Sequence, residues 1–211
     1  MAYRNFLVYF ATDIILNFFE FNRKHIKDII MKSFITLSFL TIISLAACSQ
    51  GTPPAEATSV KWYSIQEAEK LMKESPRPLF IDTYTDWCGW CKKMDRDTFT
   101  NSVISDILNN KFYPVKFNAE SKESVTFLGK TFLNDGTAGN AHQLAVQLLQ
   151  GQLSYPTVVF LVQNGGQYGT LPVPGYRAPK DMEVLLSYVL DKAYTSQKLD
   201  DYMKSFKGKI Q

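Results

Sequence analysis

The sequence is poor in the residues that build metal centres and disulfide frameworks. Its 211 residues include three cysteines and two histidines, which are Cys48, Cys88 and Cys91 together with His25 and His142. A four-cysteine zinc site needs two cysteine pairs, and the chain has one closely spaced pair. No second pair remains for a structural disulfide. We therefore expect neither a metal site nor a network of structural disulfides.

The sequence also lacks a strong excess of charge of either sign. The whole chain has a formal net charge of +3, and the residues after position 47 comprise eighteen basic and seventeen acidic side chains. Proteins that bind nucleic acid through its phosphates carry a marked basic excess or a basic face. The near-neutral balance predicts that nucleic acid is not a partner.

The most informative pattern is the pair Cys88 and Cys91, which follows the apolar run 79–81. This order places the pair where a strand passes into a helix. On a helix, a spacing of three brings the two α-carbons to about 5.5 Å, within reach of a disulfide. At the helix N-terminus, Cys88 faces unpaired N–H groups and the positive end of the helix dipole, which favour a thiolate. The spacing predicts a redox dithiol in which Cys88 attacks and Cys91 resolves.

Two other interpretations of the pair are disfavoured, and one stays open. A haem attachment motif needs histidine after the second cysteine, and Lys92 occupies that position. A chance pair on a helix is disfavoured by the preceding strand and by the flanking Trp87 and Trp90. A closed structural disulfide in a protein-binding module stays open at this point. Dithiol chemistry needs no organic cofactor, and we expect none.

Residues 31–47 have the pattern of an export signal, with a charged start, an apolar stretch and small residues at the end. The apolar stretch is shorter than the roughly twenty residues of a membrane span. The sequence Leu-Ala-Ala-Cys at 45–48 resembles the lipobox of bacterial lipoproteins. The resemblance implies that Cys48 is acylated, becomes the mature N-terminus and anchors the protein to membrane lipid. The outer membrane is favoured because Ser49, rather than aspartate, follows the cysteine.

These features divide the chain into four parts. Residues 1–30 are interpreted as an upstream extension that is not part of the mature protein, and 31–47 as the lipoprotein signal peptide. Residues 48–60 contain prolines and small residues, and they are expected to form a flexible tether. Residues 61–211 have the length of a single domain.

Residues 61–211 show the alternating helical and strand patterns of an α/β domain. The capping box from Ser64 to Glu67 opens a first short helix. Strands are predicted at 79–84, 112–117, 157–162 and 168–173, and further helices at 88–97, around 103–108, at 141–149 and at 179–193. Asn164-Gly165 supplies a hairpin turn. Near the C-terminus, an apolar stripe at 199–206 is expected to dock on the domain.

The order of elements, the dithiol and the sequence Tyr155-Pro156-Thr157 before a strand resemble the thioredoxin family over residues 62–193. The sequence Trp-Cys-Gly-Trp-Cys-Lys at 87–92 is similar to the exported group related to the periplasmic C-terminal domain of DsbD. Gly89-Trp90 departs from the Gly-Pro that the family places between its cysteines. The resemblance implies a thioredoxin fold, a central mixed β-sheet flanked by helices. An extra helical segment within 121–154, before the proline strand, and a C-terminal helix are expected as additions.

Two charged residues complete the candidate catalytic set with the cysteines. The resemblance implies that Asp82 belongs to this set. It also lies six residues before Cys88 on an apolar strand, so we expect it to be buried beneath the dithiol. Burial would raise its pKa and suit it to exchange a proton with Cys91. The resemblance implies that Lys116 lies on the adjacent strand and moderates the pKa of this carboxyl.

The remaining candidates are expected to contact substrate. The resemblance implies that Pro156 is cis, lies against the disulfide and lets the preceding backbone pair with an extended substrate segment. Tyr155 would then stand beside the attacking sulfur. Trp87 and Trp90 bracket the dithiol and offer apolar contact surface to a polypeptide, and Gly89, between the cysteines, belongs to the same candidate set. Trp87 is expected mainly to pack on the domain, whereas Trp90 projects outward.

These assignments predict a lipid-anchored thiol:disulfide oxidoreductase that faces the periplasm of a bacterial cell envelope. By resemblance to the DsbD-related group, it takes electrons from a membrane thiol donor of the DsbD type and reduces disulfides in exported proteins. A disulfide oxidase or isomerase is the alternative within the class, and a non-catalytic binding module is the alternative outside it. His142 is expected on a helix surface, without a catalytic role.

Overall fold

The computed structural model describes residues 59–210. The predicted extension 1–30, the signal segment 31–47 and the anchor Cys48 lie outside the described residues. Within the described part, none of the helices combines the length and the apolar character needed to cross a membrane.

The described residues form an α/β domain. In chain order, the strands are β1 (Leu79–Tyr84), β2 (Tyr113–Asn118), β3 (Val125–Phe127), β4 (Lys130–Phe132), β5 (Thr157–Asn164) and β6 (Gln167–Pro174). The α-helices are α1 (Ile65–Glu74), α2 (Gly89–Asp97), α3 (Ser102–Lys111), α4 (Gln143–Leu148), α5 (Pro179–Leu190) and α6 (Leu199–Ser205). The capping box predicted for α1 is present, because Ser64 and Glu67 each accept a hydrogen bond from the other's backbone N–H.

A four-stranded mixed sheet forms the centre of the domain, in the order β2-β1-β5-β6. β1 is parallel to β2 and antiparallel to β5, and β6 is antiparallel to β5. The register pairs Asp82 of β1 with Lys116 of β2 and with Val158 of β5. The central mixed sheet with flanking helices is the one predicted.

Side chains that alternate along β1 build a hydrophobic core on each face of the sheet. Ile81 points into a cluster that includes residues of α1, α4, β3 and β4. Phe80 points into the opposite cluster, which includes residues of α2, α3 and α5. This alternation follows from the period of two along a strand. Both clusters are built from residues between 60 and 210, so this stretch carries its own core, as an independently folding domain does.

The segment between β2 and β5 differs in part from its prediction. The helix predicted at 141–149 is present but short, as α4, and it is preceded by a two-stranded sheet of β3 and β4 that was not predicted. Each of these strands has only three residues, which is too short to show a clear alternation of polar and apolar residues. Their turn places Leu128 and Gly129 at positive φ, of 49° and 77°.

The expectation that His142 lies on a helix surface is wrong. Its side chain is fully buried and forms the N-cap of α4. Nδ1 accepts a hydrogen bond from the Leu144 backbone N–H at 3.0 Å, and Nε2 lies 3.0 Å from the carbonyl oxygen of Glu123. Because that carbonyl can only accept, Nε2 carries the proton. The neutral ring thus links the loop after β2 to the start of α4.

The C-terminal segment packs on the domain, as predicted, although α5 ends at Leu190 rather than at 193. Tyr202 of α6 is buried, whereas Met203 of the same predicted stripe is exposed. The buried carboxylate of Glu183 accepts hydrogen bonds from the backbone N–H groups of Lys209 at 2.7 Å and Ile210 at 2.9 Å. A Cβ at Gly208 would meet Glu183 Cδ at 2.8 Å, so glycine permits this close approach.

Candidate active site

The two cysteines stand at the start of α2, directly after the end of β1. Cys88 is the N-cap residue of the helix, and its Sγ accepts a hydrogen bond from the Cys91 backbone N–H at 3.1 Å. The pair forms a disulfide, with the two α-carbons 5.3 Å apart and both residues buried. The predicted strand-to-helix placement of the pair is confirmed. In the reduced protein, the same N–H and the helix dipole would stabilise a thiolate at Cys88.

Two aromatic pairs border the dithiol. The Trp87 and Tyr155 rings meet edge to face, with their centroids 6.0 Å apart. The ring centroids of Trp90 and Tyr176 are 5.6 Å apart. Trp87 is 67% exposed and Trp90 is 59% exposed. The expectation that Trp87 mainly packs on the domain is therefore wrong, because most of its indole faces solvent. Its Nε1 donates a hydrogen bond to Glu120 Oε2 at 3.0 Å, and this bond restrains the orientation of the ring.

The Tyr155-Pro156 peptide bond is cis, as the resemblance implied. The carbonyl oxygen of Pro156 accepts a hydrogen bond from the Gly175 backbone N–H at 2.8 Å. Gly175 has a φ of +94°, a backbone conformation that favours glycine. This hydrogen bond holds the end of β6 next to Pro156. Tyr176, the residue after Gly175, and its partner Trp90 therefore lie on the same side of the domain as the cis proline. Burial raises the pKa of Tyr155, and the nearby Glu120 carboxylate adds to that increase.

Asp82 is buried in the centre of the sheet, with 1% of its side chain exposed. Burial raises its pKa from 3.8 to about 6, although the attraction of Lys116 opposes this increase. Lys116 Nζ donates to Asp82 Oδ2 at 3.1 Å, whereas Oδ1 has no hydrogen-bond partner among the described residues. A buried oxygen without a donor favours the protonated carboxyl, because the charged form is poorly solvated.

Lys116 joins the buried carboxyl to the active-site helix. Its ammonium group also donates to Asp95 of α2, and it lies within 5.5 Å of three aromatic ring centroids, those of Trp62, Tyr84 and Phe99. Burial lowers the pKa of Lys116, but the attraction of Asp82 and Asp95 is stronger, so the pKa is raised overall. The lysine therefore stays charged, and it presents a fixed positive charge to two carboxylates.

The structure gives Gly89 no steric reason to be glycine, because a Cβ there would meet no atom within 4 Å. The open space lies at the start of α2, between the two tryptophans in sequence. Among residues 59–210, no group of three histidine, cysteine, aspartate or glutamate side chains is arranged to hold a metal ion.

A protein-family model matches most of the chain, over residues 53–200. The model is named Thioredox_DsbH and is described as a protein of unknown function, DUF255. The chain belongs to this family. Its fold is the thioredoxin fold, as the sequence predicted.

Individual relatives of this DUF255 chain are distant. Spermatogenesis-associated protein 20 of Mus musculus is 30% identical over 44% of this chain and 12% of its own length. The thiol:disulfide interchange protein DsbD of Vibrio vulnificus is 24% identical over 61% of this chain and 19% of its own length. A solved thioredoxin from Thermus thermophilus is 20% identical, with a TM-score of 0.49 over 64% of this chain and 90% of that chain. The chain spans less than a fifth of both curated relatives.

Three residues near the dithiol were not predicted: Asp95, Glu120 and Tyr176. Asp95 follows Cys91 by four residues, so the two share one face of α2, and this spacing was a usable signal. Glu120 and Tyr176 lie in loops far from the cysteines in sequence. Their contacts with Trp87 and Trp90 depend on how the sheet brings those loops together.

Proposed function

We propose that this chain is a thiol:disulfide oxidoreductase that reduces disulfides in exported proteins. The observation that carries the proposal is the placement of Cys88 and Cys91 at the N-terminus of α2 in a thioredoxin fold. There the Cys91 N–H already donates to the Cys88 sulfur. The similarity to the thiol:disulfide interchange protein DsbD of Vibrio vulnificus supports this class of activity.

The reaction begins with the reduced dithiol. The Cys88 thiolate attacks one sulfur of a substrate disulfide, forming a mixed disulfide and releasing the other substrate sulfur as a thiolate. Cys91 then loses its proton and attacks the Cys88 sulfur. This step forms the Cys88–Cys91 disulfide and releases the second substrate thiolate. The substrate gains two electrons, the dithiol loses two, and an external dithiol donor must restore the reduced pair.

Asp82 is the proposed base for the second step. Its raised pKa of about 6 means that the group takes up and releases a proton near neutral pH. It lies on β1, six residues before Cys88, and Lys116 links it to Asp95 on the helix that carries both cysteines. Lys116 is a positioning residue in this scheme, because its fixed charge sets how readily Asp82 ionises.

The proposed substrate surface is formed by Trp87, Gly89, Trp90, Tyr155 and Pro156. The exposed indoles of Trp87 and Trp90 provide apolar contact area next to the cysteines in sequence. The absence of a side chain at Gly89 leaves open space at the start of α2. The backbone before Pro156 is the proposed partner of an extended substrate segment.

The proposed location is the periplasmic side of a bacterial envelope, with Cys48 acylated and the outer membrane favoured. The electron source is then a membrane thiol donor of the DsbD type. The export-signal pattern of residues 31–47 and the resemblance of residues 45–48 to a lipobox support the anchor. The predicted tether 48–60 ends earlier than expected, because Val60 is buried in the core and the Ser59 carbonyl oxygen accepts a hydrogen bond from Asn109. The residues before Ser59 would allow the domain to reach soluble partners.

Trapping of the mixed disulfide tests the proposal. Reduced Cys91→Ser protein should hold a disulfide-bonded substrate on Cys88, because the resolving thiol is missing. Cys88→Ser protein, the matched control, should trap none. Wild-type protein should release two substrate thiols per molecule and become oxidised. If Cys91→Ser protein traps no substrate, and the wild-type disulfide resists reduction by thiols, the pair is structural and the chain is a binding module.

A further inference from the structure

The end of the sheet opposite the dithiol carries a groove of about 500 Å³. Arg77 and Pro78 directly precede β1, whereas Cys88 follows its other end. Leu161, which pairs with Leu79 at the start of β1, also lines the groove. The groove therefore lies one full strand away from the active site, and the proposed reaction does not use it.

The charges that line this groove are all positive. Lys73, Arg77 and Lys192 are part of its wall, and no carboxylate among the described residues lines it. Lys73 is also paired with Glu69 at 2.6 Å, but its side chain remains 65% exposed. Arg77 is exposed, and its guanidinium carbon lies 5.3 Å from the centroid of the Tyr113 ring. The groove thus offers a cationic surface suited to an anionic partner.

Two exposed hydrophobic side chains lie beside these cations. Tyr168 and Leu190 both line the groove, and both belong to the large hydrophobic residues that the domain leaves exposed. Tyrosine is favoured at the interface between lipid and water, where its ring and its hydroxyl meet different surroundings. Basic side chains next to such a ring match an anionic lipid surface, which attracts them within about 10 Å.

The tether enters the domain at this same end. Asn109, in the last turn of α3, donates to the Ser59 carbonyl oxygen at 3.1 Å and accepts from the Lys61 backbone N–H at 2.8 Å. The chain leaves α3 at the start of β2, where Tyr113 pairs with Leu79. Ser59 is therefore held at the groove end of the sheet. The chain between Cys48 and Ser59 spans at most about 40 Å when extended.

We infer that this basal face, defined by Lys73, Arg77, Lys192, Tyr168 and Leu190, docks on the anionic phospholipid surface of the membrane that holds the anchor. Docking turns the dithiol end of the domain away from the lipid, toward soluble disulfide substrates. The inference rests on the proposed lipid anchor. It does not require that the dithiol be a reductase.

Lysine footprinting on vesicles tests the inference. Protein that begins at Cys48 contains the whole core, and in its oxidised form Cys48 is the sole free thiol, because Cys88 and Cys91 are bonded. This thiol is coupled to a maleimide lipid in vesicles of phosphatidylcholine, with or without phosphatidylglycerol. The rate of acetylation of each lysine is then read by mass spectrometry.

On vesicles with phosphatidylglycerol, acetylation of Lys73 and Lys192 should slow by roughly fivefold or more, and added salt should reverse the effect. Lys122, an exposed residue beyond the dithiol end of β2, is the internal reference and should keep its rate. Arg77→Gln should weaken the protection, whereas Lys122→Gln, the matched control, should not. Thermal unfolding of both variants verifies that they remain folded.

Equal acetylation rates on both kinds of vesicle would overturn the inference. Protection by inorganic phosphate or by an acidic peptide, without any effect of anionic vesicles, would also overturn it and would show that the groove binds a soluble anion. Substrate reduction in solution is measured in parallel on the same proteins. Loss of that activity with intact lysine protection would contradict the proposed reductase and leave membrane docking standing.

Discussion

Lys116 Nζ lies 3.1 Å from Oδ2 of the buried Asp82 and is held there by a second carboxylate from the active-site helix, that of Asp95. The arrangement joins the central strand to the helix that carries both cysteines. It also means that the ionisation of Asp82 depends on a neighbouring charge that is itself shared. The pKa of Asp82 should therefore change when either Lys116 or Asp95 is replaced.

Replacing Asp82 with asparagine should flatten the pH dependence of stability. The folded state binds the Asp82 proton more tightly than the unfolded chain, because burial raises the pKa from 3.8 to about 6. The free energy of unfolding therefore falls as the pH rises from about 4 to about 6, by about 3 kcal/mol in total. Asp82→Asn should be more stable than wild type at neutral pH by up to that amount, and nearly equal below about pH 3.

Chemical denaturation at a series of pH values measures this difference. The exposed Asp106→Asn is the control for the loss of a carboxylate, and it should keep the wild-type pH dependence. Parallel stability profiles for Asp82→Asn and wild type between pH 4 and 7 would show that Asp82 does not carry the raised pKa.

Asp95→Asn should lower the pKa of Asp82 below about 6. The negative charge of Asp95 raises that pKa, and its removal leaves the Lys116 ammonium to interact with Asp82 alone. Titration of the Asp82 carboxyl carbon by NMR measures the change. Asp86→Asn is the matched control, because it removes a carboxylate that is hydrogen-bonded to Asn118 instead of to Lys116. It should leave the midpoint of the Asp82 titration unchanged. An unchanged or higher midpoint in Asp95→Asn contradicts the shared-lysine arrangement.

Trp90→Ala should weaken the binding of protein substrates more than it slows thiol chemistry. The indole is 59% exposed and lies beside Tyr176, so its loss removes contact area next to the disulfide. We expect KM for a disulfide-containing protein to rise about tenfold, with little change in the rate of reduction by dithiothreitol. Met203→Ala, which truncates an exposed side chain on α6, should leave both values unchanged. An equal fall in kcat/KM for the protein substrate and in the rate of reduction by dithiothreitol would assign Trp90 a structural role.

His142→Ala should destabilise the domain by about 2 to 4 kcal/mol. The substitution leaves a cavity beside Phe117, removes the N-cap of α4 and leaves the Glu123 carbonyl without its donor. Denaturant midpoints measure the loss. His142→Asn can still cap the helix, so it should recover part of the stability. A loss below about 0.5 kcal/mol for the alanine variant would mean that these contacts contribute little.

Much of the sheet could be predicted from local pattern. The run 79–84 became β1 with the predicted bounds, because its apolar residues fit a strand covered on both faces. The strand predicted at 112–117 is displaced by one residue, since Phe112 is used as the C-cap of α3. The sheet of β3 and β4 was missed because strands of three residues show no clear alternation. The burial of His142 was missed because it depends on its contact with the loop after β2.

Part of the candidate site could also be predicted from the sequence. Cys88 and Cys91 follow from short spacings around one strand and one helix, and Asp82, Lys116 and Pro156 follow from the family resemblance. The exposure of Trp87 did not follow, because Glu120 and Tyr155 hold its ring from separate loops. Tyr176, two residues after the end of β6, contacts Trp90 only because the sheet brings this short connection next to the start of α2.

The reduction potential of the Cys88–Cys91 pair distinguishes a reductase from an oxidant and from a structural disulfide. The folded protein is equilibrated against glutathione or dithiothreitol buffers, and the fraction of free thiol is measured, with Cys88→Ser as the control that cannot close the disulfide. We predict a value near that of thioredoxin, about −270 mV, as expected for a reductase supplied with electrons. A value near −120 mV, like that of DsbA, would make the protein an oxidant, and a disulfide far more resistant to reduction than either would contradict a catalytic role for the pair.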